Sequence, residues 1–149
     1  FKMIRTKEME REGLEAVARL EQEIFPDAWS VKGLEETFAQ KQALILGAWI
    51  EEALAGYVIF YHVLDEGEIA RIAAAPWCRD QGVGSALLGE LEERCRHLGV
   101  GRLLLEVREG NEAARCFYVS HGFKEDGRRK NFYKDPVEDA VLMSKELMR

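Results

Sequence analysis

Two residues are placed where they could do acid–base chemistry. Glu106 closes the apolar run Leu103-Leu104-Leu105. A carboxylate at the end of such a run is drawn out of water, which suits a carboxyl for work as a general base. The same residue could equally be a solvated charge at a strand end. Tyr118 follows within a helical pattern. A phenol, with an ordinary pKa of about 10, can protonate a departing thiolate whose own reference value is about 8.5. Alone, it reads as readily as an amphipathic core tyrosine. A third group would bind rather than react. Arg79-Asp80-Gln81-Gly82-Val83-Gly84-Ser85 lies between an apolar run ended by Pro76 and a long helical pattern. The first turn of a helix leaves backbone N–H groups unpaired and carries the positive end of the macrodipole. Glycine there lets another group approach the backbone, so the segment suits a phosphate or pyrophosphate. The glycines would also serve a plain tight turn. Their spacing is neither the dinucleotide fingerprint nor a P-loop.

The elements that must hold these residues can be followed along the chain. Met3 to Thr6 is a short strand candidate, and Met3 is read as the natural start, with Phe1 and Lys2 left over ahead of it. Glu12 to Ile24 is an amphipathic helix with Leu14, Val17, Leu20 and Ile24 on one face. Ser30 is placed to cap a second short helix with Leu34 and Phe38 inward. Trp29 is read as a core anchor, or else as the wall of a substrate groove. Ala43 to Ile50 and Leu54 to Val63 form an antiparallel hairpin, followed by a turn at Asp65-Glu66-Gly67. Glu68 onward is a strand, and from Val83 the positions Val83, Leu87, Leu88, Leu91, Cys95 and Leu98 fall at helical spacing, with Gly99 as the C-cap. Arg102 to Val107 is a strand apolar on both faces. Asn111 caps a helix running to Gly122, with Ala114, Phe117 and Tyr118 on a common face. Phe123 to Tyr133 is extended, Asp135-Pro136 turns, and Ala140 to Leu147 is the last strand. The order β-α-α-β-β-β-α-β-α-β-β predicts one α/β (α+β) domain over residues 1–149, with a mixed, mostly antiparallel sheet flanked by helices on both faces.

Composition narrows the classes. A chain of 149 residues buries roughly 68–70% of its unfolded surface as one domain. Hydrophobic content of 47% and charged content of 32% are ordinary for a globular protein. No apolar run approaches a membrane span and no signal-peptide pattern opens the chain. Cys78, Cys95 and Cys116 lack paired spacing, so neither a disulfide framework nor a zinc site is expected and the cytoplasm is the expected compartment. Cys95 and Cys116 read as small apolar packers. His62, His97 and His121 are too scattered for a ligand set. The net charge of −6 argues against nucleic-acid binding and suits a basic partner. Arg128-Arg129-Lys130 could meet a cofactor phosphate or an acidic ligand, or be a solvated strand end. Glu138 and Asp139 could pair with that run or attract a basic peptide.

Taken together, Arg79-x-x-Gly82-x-Gly84, then Leu105-Glu106-Val107-Arg108, then Asn111-x-x-Ala114-x-x-Phe117-Tyr118-x-x-x-Gly122-Phe123 resemble the GCN5-related N-acetyltransferases (GNAT) in order and spacing. Phe25-Pro26-x-x-Trp29-Ser30, the Leu-Glu-Val-Arg strand, and Arg128-Arg129-x-x-x-Tyr133 followed by Glu138-Asp139-Ala140 resemble, more narrowly, the ribosomal-protein-alanine N-acetyltransferases. Two departures stand out. Two residues separate Pro26 from Trp29 where that family often has none, and Ala75 stands before Pro76 where an acidic residue is usual.

The resemblance implies acetyl-CoA as co-substrate and no metal. The backbone of Ile72, Ala73 and Ala74 would hold the pantetheine arm as an extra strand. Backbone N–H groups across Arg79, Asp80, Gln81, Gly82, Val83, Gly84 and Ser85 would bind the pyrophosphate, and Asn111 would touch the cofactor. Glu106 would be the base and Tyr118 the acid in a direct attack. The acceptor would be a protein N-terminus, by resemblance a ribosomal protein's alanine. Physics agrees with an α-amine: at a pKa of about 8 it is roughly one-fifth neutral at pH 7.4, against about one part in a thousand for a lysine. Acetylation of a small amine or a lysine is a second expectation. A non-catalytic acyl-CoA-binding module is a third, though binding alone needs neither base nor acid.

Overall fold

The computed structural model describes residues 3–147. Phe1 and Lys2, read above as left over ahead of Met3, lie outside them. The chain runs through β1 (Ile4–Glu8), α1 (Leu14–Ile24), α2 (Val31–Phe38), β2 (Ala43–Ile50), β3 (Ala53–Val63), β4 (Glu66–Ala74), α3 (Val83–Leu98), β5 (Arg102–Arg108), α4 (Glu112–Ser120), β6 (Lys124–Tyr133) and β7 (Glu138–Glu146). Short 3-10 turns precede α1 and the loop into α3. This is the order expected from the sequence.

The strands form one seven-stranded sheet in the order β1-β2-β3-β4-β5-β7-β6. Every pairing is antiparallel except β4 with β5. Successive side chains of a strand point to opposite faces, and β3 shows which helices cover which face. Tyr57 bonds to Glu21 of α1. A Cβ on neighbouring Gly56 would instead strike Val83 and Leu87 of α3. So α1 and α2 lie on one face and α3 on the other, joined there by α4, whose Phe117 abuts Gly84.

The helical periodicities hold because each apolar stripe meets the sheet. Leu14, Val17 and Leu20 of α1, Leu34 of α2, and Val83, Leu87, Leu88, Leu91 and Cys95 of α3 are buried. Ser30 caps α2 by accepting from Gly33 N–H at 3.1 Å. Gly99 ends α3 at φ 78°, a left-handed conformation that glycine adopts without penalty. Three expectations need correction. Leu98 is exposed, because it sits in the last turn of α3 where the chain already leaves the sheet. Cys116 is exposed too, on the outer side of α4. On β5 only alternate residues, Leu103, Leu105 and Val107, are fully buried, so one face is less tightly covered than the other. Trp29 is half-buried against the core, nearer an anchor than an open wall. Among the described residues no helix is long and apolar enough to cross a membrane, which says nothing of a β-barrel. No group of side chains there could hold a metal ion.

Candidate active site

The parallel pair is unusually short. β4 and β5 are paired only from Glu66 to Glu68 against Arg102 to Leu104. Beyond that the strands diverge, β4 staying with β3 and β5 with β7. Into the gap opens a groove of about 510 Å³. Its floor is Ile72, Ala73 and Ala74 of β4. One end is the loop into α3, with Arg79, Asp80, Gly82, Val83, Gly84 and Ser85. The far wall is α4, with Asn111, Ala114, Phe117 and Tyr118, and Phe25 closes the side. The sequence-expected binding residues are therefore together, save Gln81, which does not line the groove.

The loop geometry suits an anion. Gly82 precedes α3 at φ 88°, and no atom lies within 4 Å of where a Cβ would stand, so the backbone is open to solvent there. Asp80 also has a left-handed backbone, φ 67°, uncommon for a residue with a side chain. Ala86 N–H is the first in this stretch to find an intrahelical partner, Gly82 C=O at 3.0 Å, and those before it belong to the unpaired first turn. Gly84 serves a different end: a Cβ there would come within 2.9 Å of the Phe117 ring. It allows α3 and α4 to approach closely at the wall of the groove. Ser85 Oγ lies 2.8 Å from His121 Nε2, whose Nδ1 is 2.7 Å from Phe117 C=O, so His121 ties the two helices rather than standing as a free surface residue. Asn111 caps α4, its Oδ1 accepting from Ala114 N–H at 3.1 Å. Cys78 lines the groove as a buried thiol, and burial pushes its pKa up. It is therefore a poor thiolate nucleophile.

Tyr118 is buried, its ring edge-on to Phe117 and Phe123. Burial first, and the nearby Tyr133 second, push its hydroxyl well above the ordinary phenol value, so it keeps its proton. Glu106 does not line the groove. It projects from β5 on the α1 side of the sheet, about one-fifth exposed. Its Oε2 is buried at the end of the apolar run, and Arg129 of β6 places Nε 2.9 Å from it.

Tyr133 lies close enough to both groups to be felt electrostatically. Its hydroxyl is raised by burial and then by the charge of Glu106, and it also feels Arg108, Asp27 and Arg71. Arg108 stacks over its ring at 4.5 Å. Sequence reading had Tyr133 only as part of a resemblance. The basic run lies away from the groove: Arg128 pairs with Glu109 and Arg129 with Glu106. Glu138 does not pair with that run. It accepts from Gly110 N–H at 2.6 Å and from Arg108 at 3.1 Å, which together hold its carboxyl below the usual range.

A second buried network fixes the front loop, and sequence reading missed it. Glu21, fully buried, accepts from Tyr57 hydroxyl at 2.6 Å, from Arg71 at 2.9 and 3.0 Å, and from Trp29 N–H at 2.9 Å. Arg71 also reaches Asp27 and stacks on Phe25 at 3.6 Å. Thus the wall of the groove, Phe25, is held by the guanidinium that neutralises Glu21. The signal was present: Glu21 falls at i+4 from Val17 and so lies on the apolar stripe of α1.

A family model described as Acetyltransferase (GNAT) family matches residues 14–123. The chain is 37% identical over 141 residues to a ribosomal protein bS18-alanine N-acetyltransferase of Escherichia coli, covering 91% of this chain and 93% of that one. It is 33% identical over 138 residues to a protein of Bacillus subtilis described as a putative enzyme of the same kind, covering 92% and 91%. The crystal structure of the ribosomal-protein-S18-alanine N-acetyltransferase from Escherichia coli superposes with a TM-score of 0.90 over 99% of this chain and 96% of that one, at 33% identity. With a groove between diverging strands that opens on a glycine-led helix start, the chain belongs to the GNAT family and is an acetyl-CoA-dependent N-acetyltransferase.

Proposed function

We propose that this chain moves the acetyl group of acetyl-CoA to the α-amino group of a protein N-terminus, by likeness to its relatives that of a ribosomal protein beginning with alanine, in the cytoplasm. The observation that carries the reading is the groove itself, in which Ile72 to Ala74 of β4, the glycine-led turn into α3 and the Tyr118 side of α4 line one cleft. The groove fits the co-substrate: an open strand edge for an amide-bearing arm and unpaired N–H groups for a pyrophosphate. Acetyl-CoA supplies an activated thioester. The residues of the chain do the rest. The backbone of Ile72 to Ala74 aligns the arm, and the turn from Arg79 to Ser85 binds the diphosphate. Asn111, whose amide nitrogen is not used by the cap, reaches the same wall.

Glu106 takes a proton from the acceptor amine as its nitrogen bonds to the thioester carbonyl carbon. The carbon–sulfur bond breaks, and Tyr118 gives its hydroxyl proton or hydrogen bond to the leaving sulfur. Holding amine and thioester in one site supplies much of the remaining acceleration. An acidic chain with Asp27 and Glu109 near this side suits a basic peptide.

The test is CoA release with two peptides. One begins with alanine and carries basic residues downstream; the other is the same peptide with a blocked N-terminus and a free lysine. Turnover of the first alone is expected, and Glu106→Gln should lower it by about 10²–10⁴-fold while acetyl-CoA affinity is kept. Turnover of the second alone would overturn the N-terminal reading. Full turnover by Glu106→Gln would overturn the role of the base.

A further inference from the structure

The ion pair on Glu106 has no part in the reaction as derived above, and its geometry is unusual. Arg129 Nε stands 2.9 Å from Glu106 Oε2. Yet that oxygen is buried and no donor is aligned to give it a hydrogen bond. The two groups are held by charge alone. Arg129 reaches the carboxylate from two strands away. It lies opposite Ala140 of β7, which in turn lies opposite Arg108 of β5. The small Ala140 lets the side chain cross its strand.

The tether is open to solvent. The Arg129 side chain is 60% exposed. It belongs to the edge strand of the sheet, and the register slips between Arg129 and Tyr133. A neighbouring arginine on this face is fixed instead: Arg108 donates to Glu138 and to the carbonyls of Lys134 and Pro136.

A guanidinium so placed stands against the very oxygen that would take the proton, and blocks the approach of another donor to it. An acceptor's α-ammonium carries the same charge and competes for the same oxygen. We propose that Arg129 is a displaceable counter-ion: it occupies Glu106 until an acceptor ammonium takes its place, and so keeps Glu106 from activating water against a bound thioester. The inference rests on the reading of Glu106 as base. The suppressed reaction balances simply. The water oxygen bonds to the carbonyl carbon, the carbon–sulfur bond breaks, Glu106 takes the proton, and acetate and protonated CoA leave. Arg129 touches no substrate in this scheme and is a positioning residue.

The test is CoA release from acetyl-CoA with no acceptor present, in the wild type, Arg129→Gln, Arg129→Lys, Glu106→Gln and the double variant Glu106→Gln/Arg129→Gln, with acetyl-CoA affinity measured by calorimetry alongside. Hydrolysis is expected to rise about fivefold in Arg129→Gln, the upper end for an exposed ion pair. Lysine should restore the low rate, since its Nζ reaches one bond beyond arginine Nε. The double variant should lose the rise. In parallel, the alanine peptide should bind Arg129→Gln several-fold more tightly than wild type. Unchanged or slower hydrolysis in an Arg129→Gln protein that binds acetyl-CoA normally would overturn the proposal, as would a rise that survives removal of Glu106, or weaker peptide binding. If wild type leaves the alanine peptide unacetylated, the proposed acceptor fails while the hydrolysis comparison still decides the role of Arg129.

Discussion

At the scale of the residue, the two candidate catalytic groups stand in different surroundings. Tyr118 is set by burial. Its hydroxyl titrates well above its ordinary value, so the protonated form, the one that can donate, persists through the whole working range. The rate should therefore show no loss from Tyr118 ionisation up to about pH 10, as a pH profile of kcat would reveal. Tyr118→Phe should cost about 10²-fold or more in kcat with acetyl-CoA affinity nearly unchanged, read from steady-state kinetics beside calorimetry. Glu106 meets a charged partner instead. The apolar run before it pointed to a desolvated carboxylate, and the fold also lays Arg129 on it from two strands away. That pair depends on the register of β6 on β7 and of β7 on β5. No local pattern along the chain encodes it, and Arg128-Arg129-Lys130 accordingly reads as a solvated run.

At the scale of the element, α1 positions the site more than its sequence first indicates. Its apolar stripe was legible as Leu14, Val17 and Leu20, but the stripe also contains Glu21. Removing one partner of a buried ion pair typically costs about 3–5 kcal/mol. Arg71→Ala should approach that loss in chemical denaturation, because Glu21 is fully buried while Tyr57 and Trp29 N–H satisfy only part of its charge. The same variant should weaken acetyl-CoA binding, since Phe25 loses the guanidinium it stacks on. Elements with strong periodicity were readable from end to end: α3 begins at Val83 and is closed by Gly99 as the pattern requires. What periodicity could not tell is where a helix outruns its sheet. Leu98 and Cys116 satisfy the helical spacing and still face solvent, because burial depends on what lies opposite.

At the scale of the whole molecule, the order of elements along the chain was legible because hairpin, turn and cap signals follow one another with little between them. That the loop into α3 lines the groove was legible because glycine and helix start coincide at Gly82. The divergence of β4 from β5 was not, since nothing in either strand's composition marks where pairing stops after three residue pairs. That divergence links folding to supply. The gap leaves the edge of β4 unpaired beyond Glu68, and in the proposed binding mode the co-substrate would complete the sheet there and add to its fold energetics. Mass action then stabilises the folded protein by about 2.7 kcal/mol at a ligand concentration a hundred times Kd. Thermal unfolding should shift upward with acetyl-CoA concentration, and amide exchange should slow along Ile72 to Ala74 while the far edge at β1 is untouched. A cell short of acetyl-CoA would hold this protein in a less stable and more readily degraded form, so its abundance would report on the metabolite it consumes.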